Sequence, residues 1–592
     1  MYKTICISAV LLAAGLALSS CDKDEIQRID WQQPEENTTP AGDDSAGANI
    51  DTNQDDDDVT KATFDRTVKV TFSGGNATVT GTTADFAVSV DKAGVTVTNN
   101  GTEAVIYELS GTASDGYFKL YSTRKQQLLL NGLNLTNKNG AAINNQSHKR
   151  TYVVVKGTNT LADGASYTQT PDDEDEKAAF FSEGQLVFSG DGTLTVNATG
   201  KAGITSDDYV RFMKAPTVKV TSTAGHGVRG KEAIIVSDGT IDVNVSGTGK
   251  KGFSSDTLVY VGGGVTTIKT TGSAGEVDDG TTGVAGIKAD LRFEMADGVL
   301  TVTSTGTGAK GISGDNVAYF KGGTVHVNVT GDNYGTSSGG GFGPGGGAWP
   351  GGWPGGPGGG SGQSSSSDDS VASKAIKFDG NLYISGGRIT AKSAKHEAIE
   401  AKGVIEITGG EIYAYSSDDA VNAGGSFTVE DGAVFAQSTG NDALDANGNM
   451  YIKGGIVFAV GTQSPELAID ANSEQRQKLY LSGGTVIAVG GLESGASLTQ
   501  ACWSAGTVKT DTDYALFDKE GKVIGAFKTP SSGSLTLVVS AANLDSVKYG
   551  VTVSGGTSLF GGLYTTDATV SGGSACDLAS YSGGSGGNPF GW

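Results

Sequence analysis

The sequence predicts an all-β chain wound as a right-handed parallel β-helix, a solenoid with coils of about 24 residues, closed by a C-terminal β cap. Three observations predict it. A four-letter word (small, apolar, polar, small) recurs at a nearly fixed interval. Each copy is followed by two runs of alternating apolarity around a glycine turn. Glycine fills 93 of 592 positions, more than twice its usual share of about 7%, as a chain that turns a corner every few residues requires.

The chain opens on an address. Met1-Tyr2-Lys3 precedes a short apolar stretch, Ile5 to Leu18, and then Leu18-Ser19-Ser20-Cys21. This reads as a lipoprotein signal peptide over residues 1–21, with Cys21 as the lipidated residue. Asp22-Lys23-Asp24-Glu25 follows, an acidic run that resembles the surface-export signal of Bacteroidetes lipoproteins. The expected location is the bacterial outer membrane, exposed at the cell surface. Residues 22–62 hold 13 acids and 3 bases without periodicity and are expected to form a disordered acidic tether.

The β-helix is expected over residues 63–504. Val68-Lys69-Val70-Thr71-Phe72 and Leu128-Leu129-Leu130 are strand patterns that begin it. The word then appears as Gly203-Ile204-Thr205-Ser206, Gly252-Phe253-Ser254-Ser255, Ala398-Ile399-Glu400-Ala401 and Ala443-Leu444-Asp445-Ala446, among others. Its apolar letter falls at 180, 204, 228, 253, 287, 312, 376, 399, 421, 444 and 469. Eight of those ten steps lie between 22 and 25 residues; the long ones imply insertions after 253 and 312. Runs such as Ile405-Glu406-Ile407-Thr408-Gly409-Gly410-Glu411-Ile412 supply two more strands per coil. Three short strands and three corners fit this repeat, whereas a propeller blade needs about 40 residues. The second insertion, residues 333–370, is rich in Gly, Pro and Ser and carries Phe342, Trp349 and Trp353. It is expected to be disordered, either a flexible aromatic arm or a tolerated loop. A shorter acidic loop spans 163–177. Residues 505–592 lose the word but keep strand runs and end in a Gly-rich tail. Cys502 and Cys576 could pair in an oxidising compartment or remain free thiols.

The formal charge is −23 with only four histidines. An acidic chain repels phosphates, so nucleic acid is excluded as a partner, and His-based catalysis has little to work with. No stretch of about twenty apolar residues follows the N-terminus.

The residue after each inward anchor must face outward. Register stacking therefore lines up Glu400, Asn422, Asp445 and Asp470, with His396, Asp418, Asn441 and Glu466 four positions earlier and Glu397, Asp419 and Asp442 between them. Two carboxylates one coil apart, about 4.8 Å, repel by roughly 1 kcal/mol in water and about 3.5 at an effective dielectric of 20. A cation between them relieves this. Ca2+ takes six to eight hard oxygen ligands, so Ca2+ is the expected cofactor, held by Glu397, Glu400, Asp418, Asp419, Asn422, Asn441, Asp442, Asp445 and Asp470; an exposed face screened by salt is the alternative. Tyr383, Tyr413, Tyr415, Tyr451 and Tyr480 recur along the same coils and offer rings to sugars, or serve as strand packing.

The words together resemble the bacterial secreted proteins that carry a calcium-binding, carbohydrate-binding β-helix domain, with a fold similar to pectate lyases. The resemblance runs from about Val68 to about Leu544. It rests on Tyr107-Glu108-Leu109-Ser110-Gly111-Thr112 with Asp115-Gly116, on Asn131-Gly132-Leu133, on Val228-Arg229-Gly230-Lys231, and on Ser417-Asp418-Asp419-Ala420-Val421-Asn422-Ala423 and Gly440-Asn441-Asp442-Ala443-Leu444-Asp445. The chain departs from that family in placing Ala398, Ala420 and Ala443 where Gly is usual. The resemblance implies Ca2+-dependent, non-catalytic binding of pectin-like or cellulosic polysaccharide. A polysaccharide lyase acting on uronate with Arg229, Lys231, Lys288 or Lys402 is one alternative, and a structural or adhesive surface protein is another.

Overall fold

In a computed structural model, the structure describes residues 55–168, 174–277, 280–335, 372–462, 465–530 and 535–583. The expected signal peptide, Cys21, most of the tether, the core of the Gly-rich insertion and the C-terminal tail lie outside these residues. The chain forms two units, 1–58 and 59–592. The described end of the first holds a short 3-10 turn, Asp55–Asp57. The second begins with another, Val59–Lys61, inside the stretch expected to be unstructured. There Thr60 accepts from Lys214 at 3.3 Å, and Phe64 meets Tyr152 edge-on at 5.9 Å.

From Arg66 onward the chain winds a parallel β-solenoid. Each full coil contributes one strand to each of three faces. In one coil these are Ala202–Ser206 on the anchor face, Tyr209–Phe212 on the second and Thr217–Ser222 on the third. Among the described residues the anchor face is a 14-stranded sheet. Leu258–Thr270 and Arg292–Ser304 run unbroken around the corner between the second and third faces, with a register shift at Gly262.

The expected anchor column is present. Ile143, Phe180, Ile204, Val228, Phe253, Ile287, Ile312, Ile376, Ile399, Val421 and Leu444 pair one with the next and are at most 1% exposed. Burial of that column and its two counterparts is what makes the coils cohere, since each buried aliphatic or aromatic side chain contributes about 1.5–3 kcal/mol. The glycine turns mark the corner before the third face. Gly387, Gly410, Gly432, Gly455 and Gly484 sit there with φ between 71° and 94°, a left-handed conformation that costs glycine nothing.

The first insertion is an antiparallel hairpin, Gly275–Val277 with Gly280–Thr282. The acidic loop partly covers the first coils: Glu174 binds Lys119 and Tyr121, and Glu176 accepts from the Ala141 amide at 2.7 Å.

At the C-terminal end Thr536–Ser540 pairs antiparallel with Thr485–Val489 and ends the parallel stack. A six-stranded antiparallel sheet, Asp513–Asp518 through Thr569–Ala575, then lies against the third face. Phe435, Phe458 and Ile487 of that face share a buried cluster with Tyr514, Phe527, Leu537 and Phe560. Cys502 and Cys576 are both free thiols, which corrects the pairing alternative. Cys502 sits in the solenoid core and Cys576 in the packing of the C-terminal sheet.

Candidate functional site

On the anchor face, outward residues flank each anchor at two register positions. The position just after it runs Thr205, Arg229, Ser254, Lys288, Ser313, Lys377, Glu400, Asn422, Asp445. Two positions before it, Lys251, Ala285, Lys310 and Lys374 pair in sequence, and the repeat continues this position with Glu397, Asp419 and Asp442. The face therefore changes sign along the solenoid, from cationic in its middle to anionic towards its end.

In the middle coils the cations just after the anchor are matched. Arg229 holds Asp256 at 2.8 and 2.9 Å. Lys288 pairs with Asp315, and with Asp290 at 3.3 Å. Lys377 pairs with Asp379 at 2.5 Å. Arg229 and Lys288, two of the residues named for a lyase, are thus committed to carboxylates, while Lys231 is exposed at the corner. Lys251 and Lys310 are held down to about 8 by burial and by neighbouring cations, Lys250 and Lys377 foremost. Burial, with Lys251 nearby, likewise pushes His226 down to about 3. Sequence reasoning missed Lys251 and Lys310 because they precede the word rather than belong to it.

The nine residues proposed for metal do not form one ladder. Lys374, 1% exposed, reaches Glu400 at 2.7 Å and Glu397 at 3.2 Å. Glu397 also binds His396. Although its burial opposes ionisation, these partners hold the Glu397 carboxyl below its usual value. The carboxylates of this coil therefore already have a cation in Lys374, which removes Glu400 from the metal set, whereas Glu397 still groups with His396 and Asp418, each bringing a ligand atom within 4.8 Å of the others. Asp418 lies 3.1 Å from His396 and accepts from Asn441 at 3.1 Å. Asn422 spends its amide on Asp419 at 2.9 Å and Asp445 at 3.0 Å.

Among the described residues no lysine or arginine pairs with Asp442, Asp445 or Asp470. Asp442, Asp445 and Asp470 each bring an oxygen within 4.8 Å of the others. Burial, then neighbouring carboxylates, push Asp419, Asp442 and Asp445 up to about 7. Burial and the hydrogen-bonded Glu493 do the same to Asp470. Glu493 is itself buried and escaped the sequence reading because it stands past the last copy of the word. Three half-buried carboxylates that cannot all ionise alone are a donor set suited to a hard divalent cation.

The tyrosines divide between two faces. Tyr413 is on the third face, stacked on Phe435 at 5.0 Å, against the cluster shared with the C-terminal sheet. This corrects its place among the sugar-stacking rings: its partner is protein. Tyr383, Tyr451 and Tyr480 share one outward column of the second face, together with Tyr260 and Tyr319, which sequence reasoning missed. Their signal was the apolar–tyrosine–apolar strand after each anchor. All five are at least partly exposed, Tyr480 to 37%.

A family described as "Carbohydrate-binding domain-containing protein" matches residues 91–420, more than half of the chain. Among solved structures, the polysaccharide lyase-like protein from C. thermocellum, a gadolinium derivative, is similar at a TM-score of 0.34 and 19% identity, over 45% of this chain and 95% of that one. No curated protein matches.

Proposed function

Because the chain belongs to the family of carbohydrate-binding domain-containing proteins, we propose that it is a non-catalytic, Ca2+-dependent binder of polysaccharide, pectin-like or cellulosic, held at the bacterial cell surface through Cys21. The observation that carries the binding reading is the outward column Tyr260, Tyr319, Tyr383, Tyr451 and Tyr480 on the second face. Tyrosine presents an apolar ring and a hydroxyl together, as sugar recognition needs. Asp442, Asp445 and Asp470 would hold Ca2+, which when bound supplies positive charge that keeps all three ionised and can meet a uronate.

The test is retention of the protein on polygalacturonate and on cellulose in CaCl2 and in EDTA. The reading expects retention in calcium and, on polygalacturonate, a sharp loss on chelation; equal retention on polygalacturonate in EDTA removes the calcium dependence, and no retention on any glycan removes the binding function. A second reading, lyase action on a uronate-containing glycan, is favoured by Lys251 and Lys310, amines poised near neutrality to accept a proton. It requires an unsaturated, ultraviolet-absorbing product from polygalacturonate.

A further inference from the structure

The tyrosine column is not evenly filled. Tyr319 pairs with Tyr383, Tyr383 with Glu406, Glu406 with Thr428, Thr428 with Tyr451 and Tyr451 with Tyr480. Tyr319 and Tyr383 stack at 5.3 Å and 14°, and Tyr451 and Tyr480 at 5.1 Å and 12°. Each stack covers one face of its rings. The other faces of Tyr383 and Tyr451 look towards each other across the coils of Glu406 and Thr428. Three coil steps of about 4.8 Å put roughly 14 Å between them.

Polar groups line this interval. Glu406 and Thr428 are half-buried on its floor. At its rim Lys453 pairs with Glu430 at 2.6 Å and lies 5.6 Å from the centre of the Tyr451 ring. Burial and the charge of Glu430 raise the Glu406 carboxyl above its usual range. Two carboxylates and one ammonium leave the patch short of positive charge.

We propose that the interval between Tyr383 and Tyr451 is a sugar subsite selective for uncharged pyranose units. It rests on the polysaccharide-binding reading above and narrows it to a place and a chemical class. A pyranose has an apolar C–H face that fits against an aromatic ring at contact distances of about 3.5–4 Å. The interval admits two such rings, one against each wall. The carboxylates accept from sugar hydroxyls, and Lys453 and Thr428 donate to them. A uronate entering the same space brings its charge against Glu406 and Glu430, a repulsion that excludes it. Because the acidic triad lies on the anchor face, the subsite works without a metal ion.

The test is native affinity electrophoresis of the full chain in EDTA, with hydroxyethyl cellulose or polygalacturonate in the gel. Thr428→Tyr fills the interval and leaves both walls in place. Wild type is expected to be retarded by the neutral glucan, and Thr428→Tyr to lose at least about tenfold in affinity with an unchanged melting temperature. Glu406→Gln, which folds without adding bulk, is expected to let polygalacturonate in. Neutral-glucan binding by Thr428→Tyr at the wild-type level overturns the subsite while the general reading stands. Retardation of wild type by polygalacturonate alone in EDTA overturns the selectivity. If wild type is retarded by no glycan even in calcium, the polysaccharide-binding reading fails and the subsite fails with it.

Discussion

In the coils from Val228 to Gly314 the anchor face carries cations, and those just after the anchor are set beside acids at the corner: Arg229 with Asp256, Lys288 with Asp290 and Asp315. In the coils from Val421 to Ala471 the same register positions hold Asp419, Asp442, Asp445 and Asp470, and no lysine or arginine pairs with them among the described residues. The two regions also fill their interiors differently. In the first, the residue before each anchor is glycine, and a Cβ there would lie 2.2 Å from Val243 (Gly227), Ile268 (Gly252) or Val302 (Gly286) and 2.1 Å from Val327 (Gly311). From Ala375 onward it is alanine, and the residue sixteen positions on, in register with Val327, has shrunk to alanine as well: Ala391, Ala414, Ala436 and Ala459. The methyl that enters at the first position takes space that the smaller side chain at the second has vacated, since valine to alanine removes two carbons and isoleucine to alanine three. The same backbone thus supports a stretch whose cations just after the anchor have acid partners and one whose acids have no cation among the described residues, and the second is where the proposed Ca2+ would act.

The boundary between them is Lys374, so its loss should have the largest effect. Lys374→Met strands Glu397 and Glu400 without their ammonium and should cost about 3–5 kcal/mol of stability in urea unfolding. Adding Glu397→Gln and Glu400→Gln should recover most of it; no recovery would mean the lysine acts by packing.

The volume exchange comes next. Gly252→Ala drives a methyl into Ile268 and should cost about 1–3 kcal/mol. Combining it with Ile268→Ala, which removes the Cγ2 methyl that the new Cβ meets, should cost less than the two changes summed, a coupling that a double-mutant cycle reads directly. Additive effects would break the reciprocity argument.

A pH series sharpens the contrast in charge. Asp442 and Asp445 titrate near 3.8 when unfolded and at about 7 when folded. The folded state keeps protons that the unfolded chain releases between those values, so stability is full below about pH 4 and falls as pH rises through 7. Calorimetry in EDTA should show a lower melting temperature at pH 8 than at pH 5. Added Ca2+ should restore it, and Asp442→Asn with Asp445→Asn and Asp470→Asn should flatten both responses. A melting temperature independent of pH and of calcium in wild type would contradict the assigned role of the triad.

The smallest effect belongs to the matched region. Arg229→Gln breaks a half-exposed pair and should change stability by about 1 kcal/mol or less, with no influence on the calcium response.

Much of the architecture was legible because a solenoid repeats. The interval between apolar letters, the alternation after each one and the glycine pair at the corner are local facts, and they specified the coils, the anchor column and an insertion after Phe253. The candidate site was only partly legible. The word placed Asn422 and Asp445 in one column and Asp442 beside it, yet it also placed Glu400 in the metal set, because Lys374 sits outside the word and its reach across to the next coil has no signature in sequence.

The chain alone therefore determined the coil, its period and which letters face inward, since these follow from strand alternation and from burying one apolar residue per turn. Tertiary structure alone decided which charges have partners, which tyrosines meet solvent and why alanine can replace glycine. Those outcomes depend on contacts between different coils and different faces: the cation of Lys374, the C-terminal sheet lying over Tyr413, and the space that the small Ala414 leaves for the Ala398 methyl.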